Sequence, residues 1–174
     1  MYIVSNIGAI MSQAGIAGMP AGATTGSIGV QSFIAANQPN LTGDGTAFTV
    51  VWDNTTWQVG GNNMDNSTGI FTVPSDGKYL VAYALTFDGL SAAHTFAQFN
   101  IETSAGAATK QLFNPGVART SDNHYHVNDF TIIDATAGLT IYVSGAVGNG
   151  AKTVGLSGEF FGLFGYIEIM KMCN

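Results

Sequence analysis

The chain has 174 residues, 46% of them apolar and only 9% charged, against about 25% charged residues in an ordinary soluble domain. That is enough chain for one domain with a sizeable core, and too much apolar content for a disordered one. The net charge of −6, with no Lys, Arg or His before Lys78, excludes the clustered cations that nucleic-acid backbones and anionic membranes require.

Residues 1–32 carry no charge and are rich in Gly, Ala, Ile, Ser and Met. Glycines at 15, 18, 22, 26 and 29 are too irregular for a collagen repeat. The stretch has no cationic start and is broken by Gly8, Gly15, Gly18 and Pro20, so it reads neither as a secretory signal nor as a membrane span. We expect an extended arm over 1–32 that lies against a trimer or a partner surface, followed by one domain over 33–174.

From Ser32 onward the text changes to short β-like runs. The clearest are 47–52, 69–73, 79–87, 95–103, 125–133, 139–145 and 160–169. Turn clusters separate them: Gly43-Asp44-Gly45, Gly60-Gly61-Asn62-Asn63, Pro74-Ser75-Asp76-Gly77, Asn114-Pro115-Gly116 and Gly148-Asn149-Gly150. Gly, Asn and Asp tolerate the positive φ such turns need. No stretch has the period of an amphipathic helix. The spacing predicts an all-β antiparallel sandwich or barrel of about eight to ten strands.

In the run 79–85, Tyr79, Val81, Tyr83 and Leu85 share one face. The opposite positions, Leu80, Ala82 and Ala84, are also apolar. A strand apolar on both faces is buried on both faces, so one face is expected in the sandwich core and the other against a neighbouring subunit. The run 160–167 has the same double-sided character. A charge content of 9% agrees with a surface largely covered by other chains.

Phe48 and Asn54 are followed by Met64, Phe71, Gly77, Tyr79, Val81 and Tyr83. These positions resemble the pattern of the globular head of complement C1q and its relatives in the tumour necrosis factor superfamily. Later stretches, Ala137–Val143 and Ser157–Leu163, resemble that family's closing strands. Met64 stands where the family has an aromatic, Val81 where it has Phe, and Leu139 where it has an acidic residue. The interval between Asn54 and Met64 is also longer than in the family. The resemblance covers residues 40–169. It implies an antiparallel jelly-roll β-sandwich that assembles as a homotrimer through aromatic and apolar faces. Phe71, Tyr79, Tyr83, Tyr142, Phe160 and Phe164 are the candidates for core or trimer packing.

The sequence holds no nucleophile elbow, zinc-protease motif, P-loop or Cys-x-x-Cys pair, and no enzymatic activity is expected. His124 and His126 lie two apart in a predicted strand and so point to one side, where two rings could act as a pH switch or metal ligands. His94 stands apart. With no further ligand-type residues close by, no metal site is expected. No cofactor is expected either; if calcium binds, Asp53, Asp65 and Asp122 in Gly/Asn-rich loops are its candidates. Trp52 and Trp57 could form a sugar platform, although packing is the commoner fate of tryptophan. Cys173 cannot form an internal disulfide because it is the single cysteine. The sequons at Asn40, Asn54 and Asn66 are ascribed to chance in an Asn/Thr-rich chain.

These features point to a structural assembly protein. The expected form is a homotrimeric decoration, cement or fibre-head protein of a virion, docking on a capsid or other scaffold protein through its arm and apolar faces. The alternative is a recognition head, extracellular or at the cell surface, that binds a protein or glycan. Neither nucleic acid nor membrane is an expected partner.

Overall fold

The computed structural model of the chain describes residues 28–160 and 163–172. Two seven-stranded antiparallel sheets pack face to face, and a two-stranded hairpin lies beside them.

The first sheet is built around β7 (Gly77–Asp88), where the alternation read from sequence takes physical form. Tyr79, Val81, Tyr83, Leu85 and Phe87 turn inward and are buried. Leu80, Ala82 and Ala84 turn outward and are half-buried. One edge of β7 is paired along nearly its whole length by β11 (Tyr125–Ala135). Its other edge is shared by β16 (Tyr166–Lys171) and β13 (Val154–Leu156). Beyond β16 lies β1 (Gly29–Phe33), then β4 (Asn54–Val59); beyond β13 lies β2 (Gln38–Thr42). Among the described residues β11 pairs with β7 alone, so it forms one margin of the sheet.

The second sheet runs from β10 (Gln111–Phe113) through β8 (Phe96–Thr103) to β12 (Thr140–Gly148). The far edge of β12 is shared by β3 (Ala47–Thr49) and β6 (Ile70–Thr72), with β5 (Met64–Asp65) beyond β6 and β9 (Gly106–Ala107) on β8. The hairpin joins β14 (Glu159–Phe160) to β15 (Leu163–Phe164). One short helical turn, α1 (Pro115–Ala118), is capped by Asn114, whose side chain accepts from the Gly116 N–H. Pro115 suits a first helical position because its missing N–H would go unbonded there.

The core lies between the sheets. Val30, Tyr79, Val81, Tyr83, Ile167 and Ile169 of the first sheet meet Phe71, Phe99, Ile101, Ile141 and Val143 of the second. Phe99 is its aromatic hub, with its ring centroid 4.6 Å from that of Phe87 and 6.1 Å from that of Phe48. Gly145 makes room for it: a Cβ there would stand 2.0 Å from the Phe99 ring. Gly69, at φ +73, closes the β5–β6 turn where a Cβ would stand 1.9 Å from the Val50 carbonyl oxygen.

The sequence expectations need three corrections. Gly29–Ser32, assigned to the arm, form most of β1 and pair with both β16 and β4. The predicted strand over 47–52 ends at Thr49, and the polar stretch 54–59 supplies a strand instead. The predicted run 160–169 is split, with Gly165 between β15 and β16. The arm itself, over residues 1–27, lies outside the described residues.

Candidate assembly face

The two sheets turn different chemistry outward. On the first sheet the cross-strand register aligns Ile132 with Leu80 and Met170, Phe130 with Ala82, and Asn128 with Ala84. Phe130 is 71% exposed and Ile132 53% exposed. On the far side Val59 is exposed as well, and the half-buried Trp57 ring lies over Gly29, where a Cβ would stand 2.8 Å from it. Scattered single apolar residues are ordinary on a protein surface, whereas Ile132, Leu80 and Met170 stand in line across three neighbouring strands with Phe130 beside them.

Charge gathers at the two ends of this face. At one end Lys78 Nζ lies 2.7 Å from Asp134 Oδ2, and these two residues face each other across β7 and β11. At the other end His124 Nε2 lies 3.5 Å from Asp88 Oδ1, and His126 Nδ1 is 2.8 Å from the Thr86 hydroxyl. Burial, and after it the neighbouring His124, push the His126 imidazole below its usual range. An apolar centre between polar ends is the anatomy of a protein interface.

One ionisable group interrupts the centre. Glu168 of β16 sits between Gln31 of β1 and Ala82 of β7. It is only 4% exposed, and burial pushes its carboxyl above the ordinary glutamate value. Its strand neighbour Tyr166 is shifted upward too, by burial first and then by Glu168.

The candidates from sequence are placed as follows. Phe71, Tyr79 and Tyr83 are buried between the sheets. The Tyr79 hydroxyl donates to the Ser75 carbonyl at 2.8 Å; the Tyr83 hydroxyl is buried with no hydrogen-bond partner among the described residues. Tyr142 is half-buried on the outward side of the second sheet, opposite Glu102. The side chains of Phe160 and Phe164 lie outside the described residues, as does Cys173.

His94 is buried and far from a ligand role. Its Nδ1 accepts from the Ser91 N–H at 2.9 Å, so its Nε2–H donates to the Ala151 carbonyl at 3.0 Å. Asp53 accepts from the Ala35 N–H at 2.6 Å. Asp65 accepts from the Ser67 N–H and hydroxyl, which hold its carboxyl below the usual range. Asp122 lies in the exposed turn before β11. Among the described residues no three His, Cys, Asp or Glu side chains gather closely enough to hold a metal ion. Trp52 is fully buried while Trp57 is on the outer face, so the two do not form one sugar platform.

Sequence reasoning did not single out Phe130, Ile132 or Glu168. The signal for the first two was present: the run 125–133 is apolar at 130 and 132 on the face opposite Val127 and Ile133, as in β7.

No protein-family model matches the chain, and no curated protein matches it in sequence. Solved structures do share its fold. Murine APRIL, solved at pH 5.0, superposes with a TM-score of 0.59 at 12% identity, over 84% of this chain and 99% of that one. Eiger TNF from S. frugiperda gives 0.59 at 12% identity, over 85% and 92% of the two chains. The globular domain of zebrafish complement 1qA gives 0.53 at 10% identity, over 85% and 97%. The chain therefore has an all-β jelly-roll sandwich fold like that of these C1q and tumour necrosis factor domains.

Proposed function

We propose that this chain is a structural assembly protein, a homotrimer that buries the outer face of its first sheet against its own copies. The observation that carries this reading is the apolar band through Phe130, Ile132, Leu80, Ala82 and Val59, bounded at both ends by ionised or ionisable pairs. A second copy fits this face because its centre is largely apolar and the Lys78–Asp134 end carries both signs, so that each copy can meet its like. The fold supports the same stoichiometry through the resemblance noted in the sequence.

The finer reading is a decoration, cement or fibre-head protein of a virion, docked on a capsid or other scaffold through residues 1–27. Its support is the uncharged, Gly- and Ala-rich composition of that segment and the low overall charge of the chain. The reading is non-catalytic.

Light scattering on the full chain tests the assembly. A mass three times the 18.1 kDa of the chain is expected, and a monomer at micromolar concentration would overturn the reading. A chain starting at Ile28 should remain trimeric yet lose its attachment to the particles that carry the full-length protein. Unchanged attachment would remove the docking role of the segment.

A further inference from the structure

The outward side of the second sheet has a different character. Cross-strand register places Ala146 opposite Gln98, Ser144 opposite Asn100, and Tyr142 opposite Glu102. Three of these side chains form a closed network. The Asn100 amide donates to Glu102 Oε1 at 2.9 Å and to the Ser144 hydroxyl at 3.2 Å. The Ser144 hydroxyl in turn donates to the same Glu102 Oε1 at 3.2 Å. Both donors therefore converge on one carboxylate oxygen. The other, Oε2, has no partner among the described residues, and Glu102 is partly open to solvent.

The anchor of this network is itself costly. Asn100 is 5% exposed, and its Oδ1 is buried with no hydrogen-bond partner among the described residues. An orphaned buried acceptor costs about 1–3 kcal/mol, and an apolar residue of similar shape avoids that loss. Fold stability alone does not favour an asparagine here. What the asparagine does achieve is to fix the Glu102 carboxylate in one orientation beside Tyr142. A polar group held still by its neighbours before any ligand arrives is the mark of a binding site.

We propose that this face binds a neutral saccharide. The Glu102 carboxylate accepts hydrogen bonds from sugar hydroxyls, Gln98 and Ser144 add further polar contacts, and Tyr142 supplies aromatic surface for the C–H side of a sugar ring. The ligand class follows from the chemistry present. Gln98, Asn100, Tyr142 and Ser144 are uncharged and Glu102 is anionic, so the set accepts hydroxyl protons and repels phosphates, sulfates and acidic sugars. An isolated ammonium group would need only the carboxylate, with no use for the amides and hydroxyls arrayed beside it. The site is an open sheet surface, for which affinity on the order of 1 mM is expected. Repetition of the site on a trimer would raise the apparent affinity for a multivalent glycan. That repetition rests on the assembly reading; the site within one chain does not.

The test is a heteronuclear NMR titration of the full chain with neutral oligosaccharides of glucose, mannose, galactose and N-acetylglucosamine, beside a sialylated oligosaccharide and a lysine-rich peptide. At least one neutral oligosaccharide should shift amide signals confined to β8 and β12. Glu102→Gln and Tyr142→Ala should each weaken that binding about tenfold or more, with Val117→Ala on the exposed helical turn α1 as an unaffected control. Unchanged circular dichroism shows that the variants are folded, and Tyr142→Phe should retain binding. The site is overturned if no neutral oligosaccharide shifts a signal at about 10 mM, ten times the expected Kd. It is equally overturned if the sialylated sugar or the peptide binds better, or if both variants bind as the parent does. Light scattering on the same samples separates the two readings. A trimer that binds no sugar leaves the assembly standing without the site, and a monomer that binds leaves the site without the assembly.

Discussion

Phe130 stands directly across the β11–β7 ladder from Ala82, and the methyl group opposite it leaves the ring 71% exposed. A large aromatic beside a small residue is a knob next to a shallow hole. In the proposed trimer the ring becomes an anchor whose loss dominates binding, since a few buried aromatic residues carry most of an interface's energy. Phe130→Asp should raise the trimer dissociation constant at least about 30-fold, the equivalent of about 2 kcal/mol. The thermal melt of the isolated sandwich should change little, because the side chain points away from its core. Sedimentation velocity across a dilution series reads the first effect and calorimetry the second.

Glu168 makes stability pH-dependent. Its carboxyl is raised above the ordinary glutamate value of 4.5 by burial, so the folded protein favours the protonated form. The sign follows from linkage: its contribution is fully present below the unfolded value and is lost as pH rises through the folded one. The groups facing it in register are Gln31 and Ala82, with Tyr166 and Met170 two residues away along its own strand. None of these is a cation that could offset the ionised carboxylate. Glu168→Gln should raise the melting temperature in the alkaline range and flatten the fall in stability that sets in above the ordinary glutamate value of 4.5. A variant whose profile matches the parent's would show that another group governs this range.

His94 ties two loops together in the neutral state, with Nδ1 accepting from Ser91 and Nε2–H donating to Ala151. Gly150 packs so closely that a Cβ there would lie 2.4 Å from the ring. His94→Ala removes both hydrogen bonds and leaves a cavity, with an expected loss of about 2–4 kcal/mol. Gly150→Ala should cost about 1–3 kcal/mol by overpacking. Urea unfolding of each variant measures both, and values within about 0.5 kcal/mol of the parent would contradict the packing described.

Lys78 and Asp134 provide the contrast. Both side chains are well exposed at 2.7 Å separation, and such pairs contribute about 0.2–1 kcal/mol at most. Lys78→Ala should leave the melting temperature nearly unchanged. At the margin of the assembly face it should instead slow association and reduce its salt dependence, which stopped-flow mixing of dissociated subunits can read.

The legible parts of this fold are those in which a single strand states its own periodicity. β7, β8 and β12 fall close to their predicted bounds because their apolar residues alternate and their flanks are turn formers. β1 was hidden because Gly29-Val30-Gln31-Ser32-Phe33 has weak strand character by itself; it is extended because β16 and β4 hold it on both edges. β4 was hidden because Asn54–Val59 is a largely polar margin strand. Tyr79 and Tyr83 could be given to core or trimer but not to one of them, because β7 is apolar on both faces and alternation does not say which face turns inward. The same ambiguity concealed Phe130 and Ile132. The Asn100–Glu102–Ser144 network needs the register of β8 on β12, which no local pattern encodes.

The first sheet also carries a consequence for how the protein is made. β1 pairs with β16, so Gly29 meets Met170 and Phe33 meets Tyr166. β7 cannot complete either edge until β11, β13 and β16 have arrived. Ladders that join distant parts of a chain form slowly, because loop closure must precede any gain. During translation β1 therefore lacks one of its two partners, and β7 part of one edge, until residues 166–171 have cleared the ribosome. Through that interval the Tyr79–Ala84 edge of β7 is unpaired, and crowded synthesis would favour wrong pairing between neighbouring chains. Closure of the sheet thus waits for β16, the latch that joins β1 to β7.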